Sequence, residues 1–371
     1  MKILQIGKFY YPDIGGIESV LYEITEGINN IDGYRCDVLC ANKKLKYEEN
    51  IFKNYQVFRT ASFGIIKSTS ISPQMIYKLW KLRKKYDIVH IHHPDPMAFL
   101  ALFLVRPSTK VIVHWHSDII RQKKVLKYFL PLQRWVLNFS DKIITTSKNY
   151  KKHSVYLQEF QSKIVTIPIG ISSDKFVNKD IKNNYKNKKI IFSIGRLVSY
   201  KGFIYLIKSA QYLNNDFMIV IAGDGPIKEE LQQYIDLNNL NDKVILLGHI
   251  TQKTKNFYLD ICFVFCLPSI TKAEAFGVVL LEAMKFSKPI VSSNIQESGM
   301  SWVNQDNKTG LLVKPKSPEA LANAFLELKT NETLYEKFCK NSFERFKSLF
   351  KKEKMIISIH ELYNSLIKSV V

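Results

Sequence analysis

Glu274 and Glu282 stand eight positions apart within residues 268–284, and an Ala-Phe-Gly turn between them opens an apolar helix. A helix N-terminus presents unpaired amide groups and partial positive charge, which suits an anion such as a diphosphate. Glu274 falls just before the turn, and Glu282 lies one to two turns into the helix. Carboxylates bind phosphate poorly but accept hydrogen bonds readily from sugar hydroxyls. One carboxylate can therefore serve the reacting end of a bound molecule and the other its far end. A nucleotide sugar has that distribution of charge and hydroxyls.

Other loops follow predicted strands, where parallel α/β sheets bind ligands. Gly15 and Gly16 remove side chains just before a helix expected from Val20, so backbone can approach a ligand there. A plain tight turn would use the same glycines, and the third glycine of a dinucleotide fingerprint is absent. Arg196 and Lys201 are five apart in a strand–loop–helix connection, placed so that both heads could meet one anion; two solvated surface cations are the plain alternative. Asp224, between Gly223 and Gly225, reads as the cap of a helix beginning near Pro226. His116 and Asp118 end another strand and point to hydrogen bonding with substrate, with His90, His92 and His93 as secondary candidates. A histidine pair two apart suggests metal, but no cluster of Cys or His completes a site in the sequence.

Positioning these loops requires alternating strands and helices. Strand-like runs are predicted over residues 2–7, 36–40, 87–91, 110–116, 142–146 and 164–167. A second series covers 189–195, 217–223, 243–247, 261–267 and 289–292. Runs apolar on both faces, with helices between them, imply parallel sheets covered on each side. The polar stretch 172–188 reads as a hinge between two doubly wound domains, 1–170 and 171–350. Residues 351–371 carry Ile356, Ile359, Tyr363, Leu366 and Val370 at helical spacing, an amphipathic helix long enough to return to the first domain.

The chain has 371 residues, and its 46% apolar fraction supports two cores. No run approaches the roughly 18 apolar residues of a membrane-spanning helix, and residues 97–105 read as a buried helix. The apolar run at residues 3–7 is too short for a signal peptide. Five cysteines without an export signal suggest a reducing cytosol. Cys262 and Cys266 read as buried positions of one strand. The net charge of +21 is weighted toward the first half. No nucleic-acid-binding pattern accompanies it, so nucleic acid is not expected as a partner. Basic and aromatic residues instead interleave over 121–137, which suggests an anionic membrane surface, with a solvated helix face as the alternative.

Taken in order, Gly15-Gly16-Ile17-Glu18, His116, Gly195-Arg196 through Lys201-Gly202, Gly223-Asp224-Gly225-Pro226 and Glu274 through Glu282 resemble the retaining glycosyltransferases of family 4, which have the GT-B architecture. The resemblance covers nearly the whole chain. It implies two Rossmann-like domains facing across a cleft, the second holding most of the nucleotide. Arg196 and Lys201 would hold the donor diphosphate, with backbone amides of Phe276, Gly277 and Val278 completing the cradle. Glu282 would accept the ribose hydroxyls and Glu274 would contact the donor sugar. His116 would hydrogen-bond the sugar, and Gly15 and Gly16 would approach the phosphate. No metal or other cofactor is implied, because cations stabilise the departing nucleoside diphosphate.

Residues 295–304 depart from the commoner pattern of paired glycines and Pro-Glu. With 114–118 and 271–277, they look like the bacterial O-antigen and capsule branch, in which several relatives are mannosyltransferases using GDP-mannose. A UDP-sugar donor is the alternative. An undecaprenyl-diphosphate oligosaccharide at the cytoplasmic face of the inner membrane fits a basic first domain. Two other readings remain open at this stage. A sugar-nucleotide 2-epimerase shares the architecture but needs acid and base carboxylates around the sugar. A non-catalytic membrane or nucleic-acid binder would leave the ordered loops without a purpose.

Overall fold

A strand buried on both faces favours apolar side chains, and the first strand, Lys2–Gly7 (β1), is buried throughout after Lys2, with Gln5 its one buried polar side chain. The computed structural model describes residues 1–13, 15–66, 69–119, 123–176, 185 and 187–368. Two compact units result, one of Met1–Gly170 with Lys352–Val371 and the other of Ile171–Lys351.

In the first unit, β1 is followed by Arg35–Ala41 (β2), Glu48–Phe52 (β3), Tyr55–Thr60 (β4), Ile65–Ile66 (β5) and Thr69–Ser70 (β6). Then come Ile88–His93 (β7), Lys110–Trp115 (β8), Lys142–Thr145 (β9) and Ile164–Thr166 (β10). The main sheet has the order β10-β9-β8-β7-β1-β2-β4-β3, and β5 and β6 pair antiparallel in a separate two-stranded sheet. All main-sheet pairings are parallel except β3 with β4. Sequence periodicity misses β3 because it is an edge ribbon, exposed at its three central positions.

The second unit has Lys189–Ile194 (β11), Phe217–Ala222 (β12), Val244–Gly248 (β13), Val264–Leu267 (β14), Ile290–Ser293 (β15) and Gly310–Val313 (β16). Their order is β13-β12-β11-β14-β15-β16, parallel throughout. That is the doubly wound arrangement with its reversal between β11 and β14. One core of this unit gathers Ile191, Phe203, Phe217, Leu231 and Phe325, all at most 1% exposed.

Several local expectations are corrected. The helix after β1 starts at Gly16, with Gly15 as its N-cap, rather than at Val20. Cys262 ends the helix Gln252–Ile261 instead of lying in a strand, because β14 begins only at Val264. The helix after Asp224 starts at Lys228 and has no side-chain cap. Asp224 instead accepts a hydrogen bond from the Gly225 amide at 2.8 Å. Of the expected hinge, residues 177–184 and 186 lie outside the described residues, as do Arg121, Gln122 and Val370.

The last helix, Lys352–Lys368, buries Met355, Ile356, Ile359, Leu362, Tyr363 and Leu366 and packs on the helix Gly16–Asn29. The contact needs a glycine: a Cβ at Gly27 would lie 2.5 Å from the Ile356 side chain. Among the described residues, no helix is long and apolar enough to cross a membrane. The helix Pro96–Val105, expected to be buried, buries one face and leaves Leu100 and Leu104 exposed; Asp95 caps it, accepting from the amides of Met97 at 3.1 Å and Ala98 at 3.3 Å.

Candidate active site

In the second unit the candidate residues lie on loops leaving the C-terminal ends of β11, β12, β13 and β14, beside the switch point. Backbone contact between loops sets their spacing. The Gly195 amide donates to Ala222 O at 3.0 Å, and the Leu197 amide donates to Asp224 O at 2.9 Å. Gly223 sits at φ +129°, where a Cβ would come within 1.9 Å of Gly195 O. Only glycine fits that position. The result is a cavity of about 360 Å³ with Arg196, Asp224, His249, Thr251 and Lys255 in its lining. Arg196 is exposed at this cavity.

Lys201 has a different setting. It ends the short 3-10 turn Ser199–Lys201, and Gly202 follows at φ +70°, where a Cβ would lie 2.2 Å from Pro268 O. The Lys201 ammonium forms an ion pair with Glu274 Oε2, the two side chains being 12% and 11% exposed. Ser269 Oγ donates to the same carboxylate oxygen at 3.3 Å. Burial pulls the Lys201 ammonium down, but the charge and hydrogen bond of Glu274 outweigh it, so its pKa is raised.

Glu274 is held from behind by the segment 295–304. Ser298 Oγ donates to the Glu274 carbonyl, and the Gly299 amide donates to Ala275 O at 2.8 Å. The residues that depart from the commoner family pattern therefore brace the turn carrying this carboxylate. Phe276 is buried, its ring packed 6.3 Å from Trp302 and 6.1 Å from Phe350, centroid to centroid. Its side chain anchors the turn. Gly277, at φ +76°, caps the helix Val278–Lys285 with no side-chain hydrogen bond, which leaves the first-turn amides to a ligand.

Glu282 also has a lysine partner, Lys255, whose Nζ lies 2.6 Å from Glu282 Oε1. Sequence reasoning missed Lys255. Its one signal is position: Thr251 caps the helix Gln252–Ile261 by accepting from the Thr254 amide at 3.2 Å, and Lys255 is one turn on. Each glutamate of the spaced pair is thus neutralised by one cation, while Arg196 faces the cavity.

In the first unit, Gly15 and Gly16 begin a 14-residue helix without a side-chain cap, and a Cβ at Gly16 would meet nothing within 4 Å. His116 follows β8 and is 5% exposed. Its Nε2 lies 2.9 Å from His92 Nδ1, and burial lowers its pKa to about 3. His116 is therefore neutral at any ordinary working pH. Asp118, expected beside it as a substrate contact, is buried, with Oδ1 accepting from Trp115 Nε1 at 3.0 Å and Ser154 Oγ at 2.8 Å. It ties the loop down. His93 is also fully buried, its ring stacked 3.8 Å from Trp115.

The fold gathers a histidine cluster that the sequence did not reveal: ligand atoms of His90, His92 and His114 all lie within 4.8 Å of one another. As they stand, these side chains do not converge on an ion. His92 uses both ring nitrogens in hydrogen bonds, to His116 and to Gln5. The three rings stack at interplanar angles of 15° to 29°, so their in-plane lone pairs run side by side. A zinc ion needs nitrogens converging at roughly 2.0–2.1 Å.

The pattern of the family described as "Glycosyl transferases group 1" matches residues 174–362, and that of "Glycosyltransferase Family 4" matches residues 14–175. The chain is 29% identical over 374 residues to the O-antigen chain mannosyltransferase C of Escherichia coli, covering 100% of both proteins. It is 30% identical to the D-rhamnosyltransferase WbpZ of Pseudomonas aeruginosa, covering 94% of this chain and 92% of the relative. Among solved structures, sucrose-phosphate synthase from Thermosynechococcus elongatus superposes with a TM-score of 0.81 at 20% identity, covering 99% of each chain. Its identity is low enough that the likeness speaks for the fold alone. Two doubly wound units, an ordered set of loops at their strand ends and whole-length relatives agree: the chain belongs to the family 4 glycosyltransferases and has the GT-B fold.

Proposed function

We propose that the protein transfers a hexose, with retention of anomeric configuration, from a nucleoside-diphosphate sugar to a lipid-linked oligosaccharide in O-antigen synthesis. The observation that carries this reading is the charge pattern of the second unit. Two lysine-paired carboxylates flank an uncapped helix N-terminus, and an unshielded guanidinium stands at the neighbouring cavity. Phosphate charge fits Arg196, Lys201 and the amides of Phe276, Gly277 and Val278, and hydroxyl groups fit Glu274 and Glu282. On diphosphate binding, Lys201 turns part of its charge from Glu274 to phosphate, which frees carboxylate lone pairs for the sugar. The same cations stabilise the leaving diphosphate, so the reaction needs no metal. The acceptor hydroxyl attacks the face from which the diphosphate departs and passes its proton to a leaving phosphate oxygen.

GDP-mannose is the donor we favour. The two relatives are named for mannose and D-rhamnose, and D-rhamnose is 6-deoxymannose, so both names share the manno configuration. A thermal-shift panel tests the base: GDP should raise the melting temperature more than UDP at equal concentration. A larger shift with UDP would rule out the GDP donor. The anomeric configuration of the product, read by its one-bond C–H coupling, tests retention, and activity retained in EDTA tests metal independence.

An anionic membrane surface is the partner we assign to the first unit, at the cytoplasmic face. On its neighbouring helices Pro73–Leu82, Pro96–Val105 and Lys123–Phe139, Tyr77, Trp80, Leu104 and Tyr128 are exposed. Cations lie over the rings: Lys81 over Tyr77, Arg83 over Trp80, and Arg106 over Phe103 and Trp135. Exposed rings with basic neighbours suit a lipid headgroup layer. Co-sedimentation with anionic vesicles, absent with zwitterionic ones, is the expected result; equal binding to both would remove this partner.

A further inference from the structure

His90 and His92 from β7, His114 from β8 and His116 just after it stack along one face of the first sheet. Of the four, His116 is the most exposed, at 5% against 0–1% for the others. The hydrogen bonds behind it leave little choice of proton positions.

Gln5 on β1 is the pivot. Its Oε1 lies 2.6 Å from His92 Nε2, and its Nε2 donates to Tyr363 OH at 3.1 Å. Tyr363 comes from the last helix, and its hydroxyl lies 2.6 Å from His90 Nδ1. An amide oxygen has no proton to give, so His92 donates from Nε2. A neutral imidazole carries one N–H, so His92 Nδ1 is a bare acceptor. His116 Nε2, 2.9 Å from that nitrogen, must then carry the proton. The remaining nitrogen of His116, Nδ1, keeps its lone pair.

We infer that Gln5 and His92 are positioning residues that lock His116 as the Nε2–H tautomer, presenting Nδ1 as a hydrogen-bond acceptor to a hydroxyl of the donor sugar. The inference rests on the proposed function, with the contact between His116 and the donor sugar that the family resemblance implies. Burial reinforces the lock, since it lowers the pKa of His92 well below the ordinary value. A charged His92 would point a second N–H at the N–H of His116. The arrangement makes His116 selective for a partner that donates, and it removes any role for His116 as a general acid. Tyr363 gives the last helix a chemical part in the first unit: it accepts from Gln5 and so helps fix which way the amide faces.

A long-range 1H–15N correlation spectrum of the full-length protein, labelled at histidine, reads the tautomer without any ligand. His116 signals, identified by their loss in His116→Phe, should show a protonated Nε2 and a bare Nδ1. His92→Asn puts an amide oxygen near the former Nδ1 and should keep that pattern, whereas His92→Leu should give shifts averaged between tautomers. For donor, kcat/KM should fall about tenfold in His92→Leu, the scale of one hydrogen bond, and recover in large part in His92→Asn. A bare Nε2 in the parent protein overturns the inference, since it means the Gln5 amide faces the other way. The expected tautomer with kcat/KM unmoved in His92→Leu instead removes the sugar contact, and with it the role of the two positioning residues. The parent spectrum decides the tautomer even where a variant fails to fold.

Discussion

Replacing Lys201 by methionine keeps most of the side chain's length and removes its charge. Glu274 then keeps the desolvation of a side chain 11% exposed, with only Ser269 Oγ left as a polar side-chain partner of its Oε2. At an effective dielectric constant of about 20, an ion pair in contact is worth roughly 4–5 kcal/mol before desolvation is subtracted. Removing one partner of a buried pair costs about 3–5 kcal/mol, and slight exposure of both groups places this site near the lower figure, about 3 kcal/mol. Urea unfolding of the full chain at pH 7.5, followed by circular dichroism, measures it. A raised Lys201 pKa means its contribution is complete below the unfolded value of about 10.5 and fades as pH rises through the folded value. The double variant Lys201→Met/Glu274→Gln should regain at least half of the lost stability and none of the activity. A double variant as unstable as Lys201→Met alone would refute the reasoning, because the cost would not lie in an unpaired carboxylate.

Arg196→Ala should lower turnover by about 10²–10³ with little change in melting temperature, the scale of one transition-state donor at an exposed position; near-parental turnover would reject the diphosphate role. Asp95→Asn tests a buried cap. Burial raises the Asp95 carboxyl from 3.8 to about 6 despite two backbone hydrogen bonds, so the parent loses stability as pH rises across that window. The asparagine variant lacks this titration and should gain on the parent by up to about 3 kcal/mol between the two limits, then level off. A difference independent of pH would count against it. Gly223→Ala should destabilise by at least about 3 kcal/mol through backbone overlap and strain, seen as a large drop in urea midpoint; a loss under 1 kcal/mol would show that the two loops can separate.

The strands were the most legible part of the fold. Runs such as β12 and β14 are buried on both faces, and continuous apolar sequence records that directly. Edge strands β3 and β16 were invisible: the first is largely exposed, and the second is four residues long and begins at a glycine. Helix starts were misread where glycine or isoleucine, rather than a capping side chain, stands at the boundary, as at Gly15 and Ile227.

At the candidate site, spacing along the chain alone placed Glu274 before a helix start and Glu282 within that helix, because a turn and a helical period are local properties. The partners of those carboxylates are not local. Lys201 is 73 residues from Glu274 and Lys255 is 27 from Glu282; the pairing of β11 with β14 brings the first two loops together, and the helix Gln252–Ile261 carries Lys255 to the second carboxylate. The histidine chain is less local still: Gln5 and Tyr363 lie 358 residues apart. In the sequence, Tyr363 is one more apolar position on an amphipathic helix. Which proton its hydroxyl receives, and so which face His116 offers, is decided when the last helix packs onto the first unit.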